Sequence, residues 1–350
     1  MKERIIVGKL ERWFARNARD LPWRRTRDPY AIWVSEIMLQ QTQVKTVLPF
    51  WERWMRELPD IRALACADAA KLHKLWEGLG YYARVRNLQE GAQRLMENHG
   101  GMFPEDFDQV LALPGIGRST AGAICSIAFD QPKPILDGNV MRVLTRLFGV
   151  AGNPRERRTN ARLWGLAGQL VRLAAKPSAF NQALMELGAL VCTPRQPRCG
   201  ACPISGQCVA LRQGRVQELP ALGRRVRATP RRFVAFVVRH RNRFLVRQRP
   251  AAGVNAQLWE FPNVELGLKD GDLPGAARTA LGLTSLTLRP FCVVKHSITR
   301  YRITLEVFQV VGHRAGGAAR AKGRWLTAKE LSQRALASAH KQILQRLGCH

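Results

Sequence analysis

The hydrophobic pattern of the chain changes once, near residue 215. Before that point apolar residues recur at helical spacing over Ala31 to Val47, Ala69 to Trp76, Arg84 to Met96, Thr120 to Ala128, Val140 to Phe148 and Leu163 to Leu173, with Gly and Pro signals between the segments. Beyond it they gather into short runs rich in Val and Phe. Phe233 to Val238, Phe244 to Val246, Ser285 to Leu288, Phe291 to Val294 and Ile303 to Val311 read as strands, and Lys329 to Leu347 as a closing helix. Between the two regimes lies a stretch with Arg224, Arg225, Arg227, Pro230 and Arg231, which reads as a basic tether. The expected architecture is an all-α domain over residues 1–215, a linker over 216–231 and an α+β domain over 232–350.

Length and composition agree with two domains, since 350 residues with 46% hydrophobic content can build two cores. Charge narrows the picture further. The 56 Lys and Arg outnumber 26 Asp and Glu, giving a formal charge of +30 and a pI near 11.2. Such an excess is the electrostatic footprint of a nucleic-acid binder, although ribosomal-type structural proteins share it. No apolar run reaches membrane-spanning length, which predicts no membrane partner. Residues 1–20 interleave Lys2, Glu3, Arg4, Lys9, Glu11 and Arg12 with apolar residues and contain no signal-peptide core. A cytoplasmic, nucleoid-associated monomer is expected, for a bacterial source.

Chemistry enters with Cys192, Cys199, Cys202 and Cys208 at the spacing C-x6-C-x2-C-x5-C. Thiolates favour iron–sulfur clusters or zinc, and structural zinc sites more often pair two short halves across a long loop. One compact run of four therefore points to a 4Fe-4S cluster, with zinc as one alternative. Two disulfides are another, and they require an oxidising compartment. Upstream, Leu111 to Ile124 contains Leu113-Pro-Gly-Ile-Gly117 opening into an apolar helix, a helix-hairpin-helix over about residues 107–126. Gly115 and Gly117 let the backbone approach a phosphate, and the helix start supplies oriented N–H donors. Such a grip holds DNA without reading its sequence.

Two carboxylates complete the candidate chemistry. Glu36 lies among the apolar Trp33, Ile37 and Leu39 on a helix capped by Asp28 with Pro29 at its first position. Burial there raises its pKa toward that of a general acid at neutral pH. Asp137 precedes a helix and reads first as its N-cap, with N-cap bonds holding it ionised. A neutral acid beside an anionic carboxylate is the division of labour that breaks glycosidic bonds through an oxocarbenium-like transition state.

Together, Leu21-Pro-Trp-Arg24, Ser35 to Val44, Gly78 to Arg84, Leu113 to Gly122, Leu136-Asp-Gly-Asn139, Phe180-Asn-Gln182 and the four cysteines resemble the MutY family of adenine DNA glycosylases, within the endonuclease III superfamily. The matches run in order through roughly the first 210 residues. The resemblance implies removal of adenine opposite 8-oxoguanine or guanine in duplex DNA, by base flipping. It makes Glu36 the proton donor to adenine N7 and the later activator of water. Asp137 then stabilises the sugar cation or bonds to its anomeric carbon, Asn139 orients the site, and Arg24 stands near the adenine pocket. Gln41 and Tyr81 are implied to enter the base stack. Ser119 stands where strand-nicking relatives carry lysine, which implies an enzyme without an efficient lyase step. The resemblance also implies a cation held by hairpin carbonyls.

The second domain resembles the Nudix-related module that the family appends to recognise 8-oxoguanine, with Leu258-Trp-Glu-Phe-Pro262 at the entry of that fold. Asp272 to Leu283 has no acid after its first residue, so it lacks the Glu-rich helix with which Nudix hydrolases hold magnesium. The family's lesion-reading loop commonly carries Phe-Ser-His. Here Ile298, Thr299 and Arg300 occupy those places, and Ser297, Thr299 and Arg300 are the candidates for lesion or phosphate contact. Two rival readings are a glycosylase-lyase for damaged pyrimidines and a cluster-stabilised DNA-binding protein without catalysis.

Overall fold

Eight of the eleven residues of the helix Pro29–Leu39 are buried, so this segment is surrounded by protein rather than lying on a surface. Asp28 caps it by accepting the Tyr30 N–H at 3.0 Å, and Pro29 occupies the first turn, where no N–H is needed. The computed structural model describes residues 1–223, 227–251, 253–267, 272–282, 287–311 and 323–348. Arg224 and Arg225 of the expected linker, and Ser285 at the start of an expected strand, lie outside these residues.

The chain divides into two compact units, Met1–Ala67 with Arg86–Arg225, and Asp68–Val85 with Val226–His350. The first is helical. Pro29–Leu39 packs on Arg118–Phe129, and Pro177–Leu190 packs on Lys2–Asn17, Gly138–Phe148 and Arg118–Phe129. Ile6, Leu10, Val143, Leu147, Phe180 and Leu184 share its main core, against which Cys192, Cys202 and Cys208 rest. The helix expected over Ala31 to Val47 is in fact two, Pro29–Leu39 and Val44–Glu57. Between them Gln41 adopts a left-handed backbone, φ 58°, which helical spacing of apolar residues cannot reveal. Gly122 lets the hairpin helix approach closely. A Cβ there would stand 2.1 Å from the Pro134 carbonyl oxygen, so only glycine brings this helix against the backbone leading to Asp137.

The second unit is built on a mixed sheet of β1 (Thr229–His240), β2 (Arg243–Gln248), β3 (Trp259–Glu260), β4 (Asn263–Leu266), β5 (Thr287–Ile298), β6 (Tyr301–Val311) and β7 (Arg324–Thr327). The order is β3-β2-β1-β6-β5, with β4 on β1 and β7 on β2, and among the described strands only β1 and β6 run parallel. The continuous apolar run in β1 is explained by burial on both faces. Val234, Phe236 and Val238 meet Ala277 and Leu281 on one side, while Ala235 and Val237 meet Ile343 and Leu344 on the other. β1 begins at Thr229, inside the stretch expected as linker, because it pairs there with Tyr301. The two runs expected around Pro290 form one strand, β5, with a bulge between Pro290 and Cys292 that accommodates the missing proline N–H.

The closing helix expected over Lys329 to Leu347 is broken into Ala328–Ser332 and Ser338–Arg346. Between these pieces the backbone pairs with Trp259 instead, through Trp259 N–H to Ala335 O at 2.9 Å and Ala337 N–H to Trp259 O at 3.1 Å. Tertiary hydrogen bonding thus overrides helical propensity. Leu273–Leu281 is a helix capped by Asp272 and carries no further acid, as expected for that segment. No described helix is long and apolar enough to cross a membrane.

Candidate active site

Helix placement in the first unit opens a cavity of about 680 Å³, lined by Glu36, Asp137, Asn139, Ser119 and Arg24 among others. Five residues singled out in the sequence are thereby brought to one place from four distant segments. Its remaining lining includes the apolar Ile32, Ile127, Ile135 and Met185 beside polar side chains such as Gln182 and Thr120. The turn carrying Gln41 reaches the same cavity through Gln40, Thr42 and Gln43. Gly115 (φ 74°) and Gly117 form the hairpin turn, and Gly117 caps the helix Arg118–Phe129. Tyr81, Ser297, Thr299 and Arg300 belong to the second unit.

Burial pushes the Glu36 carboxyl up to about 7; the Asp137 charge adds to the shift and the Arg24 guanidinium opposes it. Its side chain lines the cavity and is only partly exposed, and the loss of solvent destabilises its anion. Asp137 is the N-cap of Gly138–Phe148, accepting the Val140 N–H at 2.7 Å. That bond alone predicts a depressed pKa. Burial outweighs it, together with the Asn139 and Arg142 contributions, and Asp137 titrates above the ordinary aspartate value. Both carboxyls are thus pushed toward the protonated form by burial, and the Asp137 charge adds to the rise at Glu36.

The surrounding polar groups fix this pair. Asn139 Nδ2 lies 3.5 Å from Asp137 Oδ2, and Asn139 Oδ1 accepts from Arg142 at 2.8 Å. Arg142 also donates to Gly188 O at 2.8 Å and Cys192 O at 2.7 Å, tying the site to the cysteine segment. Gly188 has no Cβ because one would stand 2.7 Å from Asn139 Cβ. Ser119 Oγ accepts the Leu136 N–H at 3.2 Å, one residue before Asp137.

Sequence reasoning missed Glu186. This 1% exposed carboxylate accepts from Arg24 at 3.1 and 3.0 Å and from Arg19 at 2.8 and 2.6 Å. Burial raises its pKa, but the Arg19 and Arg24 bonds outweigh that and hold it down to about 2. Arg24 and Arg19 therefore share Glu186 in one ion-paired cluster that lines the cavity. The available signal was that Glu186 is the only charged residue of the helix Pro177–Leu190.

The four cysteines follow that helix as unpaired thiols. Burial, against the opposing Ile204 N–H and with smaller contributions from Cys192, Cys208 and Cys199, raises the Cys202 thiol to about 11. Four free thiols at this spacing have the chemistry of an iron–sulfur donor set, although among the described residues they do not stand as a preformed metal-ligating group. Arg146, 2% exposed, donates to Cys192 Sγ at 3.4 Å and to Thr193 O at 2.7 Å from beneath the loop.

Known families match these same parts. Residues 34–169 match the HhH-GPD superfamily base excision DNA repair protein, 192–208 the iron-sulfur binding domain of endonuclease III, and 234–346 the NUDIX domain. Adenine DNA glycosylase of Mus musculus is 37% identical over an alignment of 391 residues, covering 95% of this chain and 76% of the mouse protein. The chain belongs to the MutY-type adenine DNA glycosylase family. It is a DNA N-glycosylase of base excision repair with an iron–sulfur-binding segment. Among solved structures, a thermostable thymine-DNA glycosylase is 30% identical with a TM-score of 0.56, covering 61% of this chain and 97% of its own. An endonuclease III–DNA complex, 22% identical with a TM-score of 0.51, shares the fold over 61% of this chain and 98% of its own.

Proposed function

We propose that this adenine DNA glycosylase flips adenine from a mispair with 8-oxoguanine into the 680 Å³ cavity and hydrolyses its N-glycosidic bond without cutting the strand. The observation that carries the reading is the Glu36 carboxyl, titrating at about 7 beside Asp137. Protonated Glu36 gives its proton to adenine N7, so the base departs neutral. The Asp137 carboxylate stabilises the positive charge developing at the anomeric carbon. Glu36, now anionic, accepts a proton from the water that adds to that carbon, which restores the acid and leaves an abasic sugar. A strand-nicking step needs an amine where Ser119 stands, and the Ser119 hydroxyl is occupied by the Leu136 N–H.

Gln41 and Tyr81 are the proposed stacking residues. Both are exposed and both hold left-handed backbones, φ 58° and 47°, a conformation that costs energy in a non-glycine residue and projects the side chain from a turn. Thr299, at φ 51°, does the same at the tip of the β5–β6 hairpin, where Ile298 pairs with Tyr301 and leaves Thr299 and Arg300 as the loop. Duplexes with adenine opposite 8-oxoguanine or guanine, and with thymine glycol, test the reading. Abasic product is expected from both adenine duplexes, faster opposite 8-oxoguanine, with strand breaks only after alkali and none from thymine glycol. Thr299→Ala should narrow the 8-oxoguanine preference by the 1–3 kcal/mol typical of a specific base contact, about five- to 150-fold. Breakage before alkali would assign a lyase instead.

The cysteine segment is proposed to hold a 4Fe-4S cluster that shapes the loop for DNA, with the HhH turn carbonyls holding a cation. Analysis of purified protein should give iron and acid-labile sulfide at about four each per chain. One zinc and no iron would overturn the cluster. Cys199→Ser is expected to weaken DNA binding and lower the unfolding temperature.

A further inference from the structure

Tyr81 lies in the segment Asp68–Val85, which forms one compact unit with Val226–His350 although the HhH-GPD match spans 34–169. A single carboxylate makes hydrogen bonds across that attachment. Glu77 Oε1 accepts the Leu336 N–H at 2.9 Å, while Oε2 accepts Lys341 Nζ at 2.8 Å and Lys74 Nζ at 2.7 Å. Lys74 Nζ also reaches Arg334 O at 3.3 Å. Glu77 is 8% exposed, and a carboxylate so enclosed persists as an anion only with such donors around it. Burial raises its pKa, and the Lys341, Lys74 and Leu336 bonds reverse that and hold it below the ordinary value.

Glu77 immediately precedes the turn that presents Tyr81. Gly78 (φ 119°) and Gly80 (φ 70°) permit the turn, and Tyr81 closes it, half-exposed. From within, Trp76 Nε1 donates to Gly80 O at 3.0 Å and Arg84 donates to Leu79 O at 2.9 Å and Gly80 O at 3.2 Å. The Arg84 guanidinium stacks on both Trp76 and Tyr81. The turn is thus fixed on one side by its own segment and on the other, through Glu77, by the strip Arg334–Lys341.

We propose that Glu77 is a positioning residue for Tyr81: by anchoring the turn to Leu336 and Lys341, it sets the angle at which the tyrosine enters the base stack. This rests on the wedge role of Tyr81 proposed above. Glu77 touches neither adenine nor the reacting sugar. Its physical task is to make insertion of Tyr81 strain a body that includes the β5–β6 hairpin, so that the turn cannot yield when the duplex resists unstacking.

A double-mutant cycle on the full-length, iron-loaded protein decides it, with single-turnover excision of adenine opposite guanine as the readout. Glu77→Ala is expected to slow excision about tenfold when Tyr81 is present and less than twofold in Tyr81→Ala. Glu77→Gln, which keeps the volume and an acceptor for Leu336, should lose less. Iron content, unaltered in all variants, confirms that the helical unit is intact. Losses that simply multiply in the double variant, or an unchanged rate in Glu77→Ala, overturn the role of Glu77 while leaving the wedge. A full rate in Tyr81→Ala overturns the wedge itself, and the positioning role with it.

Discussion

Glu36→Gln will lower adenine excision by at least about a hundredfold, the contribution expected of a general acid, with DNA affinity retained. Glutamine keeps the volume of the side chain and its hydrogen-bonding capacity, and it is as good a helix former as glutamate. What it lacks is the transferable proton. Because burial and Asp137 place Glu36 at about 7, the native enzyme carries that proton on the acid side of neutrality and loses it above. Excision should therefore fall as pH rises through about 7 and decline again on the acid side as Asp137 takes up its proton, and the glutamine variant should lack the alkaline limb. The same shift is linked to stability. A carboxyl that binds its proton more tightly when folded adds stability below the ordinary glutamate range, and this increment is lost as pH rises through about 7. Near-native single-turnover rates in Glu36→Gln would remove the residue from the chemistry.

Asp137→Asn should cost about a hundred- to a thousandfold, the magnitude found when preorganised electrostatic stabilisation of a developing charge is removed. The substitution separates charge from architecture. Asparagine caps helices as well as aspartate, so the Val140 N–H keeps its acceptor and the helix Gly138–Phe148 keeps its start. Unfolding temperature is expected to change little. The residual activity carries a second signature: with the Asp137 charge gone, one cause of the raised Glu36 pKa disappears, and the alkaline limb should move to lower pH. Excision and pH dependence measured in the same variant check both effects. An active Asp137→Asn enzyme with an unmoved limb would return the residue to its capping role.

The elements that carry these groups could be recognised locally. The cap at Asp28, the hairpin at Gly115 and Gly117, and the N-cap at Asp137 each depend on neighbours within a few residues, so the pattern of residues is enough to expect them. The strands around Phe233, Phe244 and Ile303 were legible for the same reason, as were the cysteines, whose ligand chemistry lies in their spacing. The short strands Trp259–Glu260, Asn263–Leu266 and Arg324–Thr327 were not, because too few residues alternate to register a period.

The sequence by itself determined that two carboxyl groups, one in an apolar helix and one at a helix start, were candidates for glycosidic chemistry. Only the tertiary structure decided that Glu36 titrates near neutrality, since that value depends on burial and on Asp137, about a hundred positions away. It also decided that Arg24 is held by Glu186, and that Arg142 joins Asn139 to the cysteine segment. The break in the closing helix belongs to the same class: Trp259 supplies the hydrogen bonds that the helix would have made. So does the grouping of Tyr81 with the sheet, through Glu77 and Lys341. Capping, turn geometry and ligand spacing act over a few residues and are written in their order. Desolvation, ion pairing and backbone pairing between remote segments arise only once the folded chain has removed water and brought those partners together.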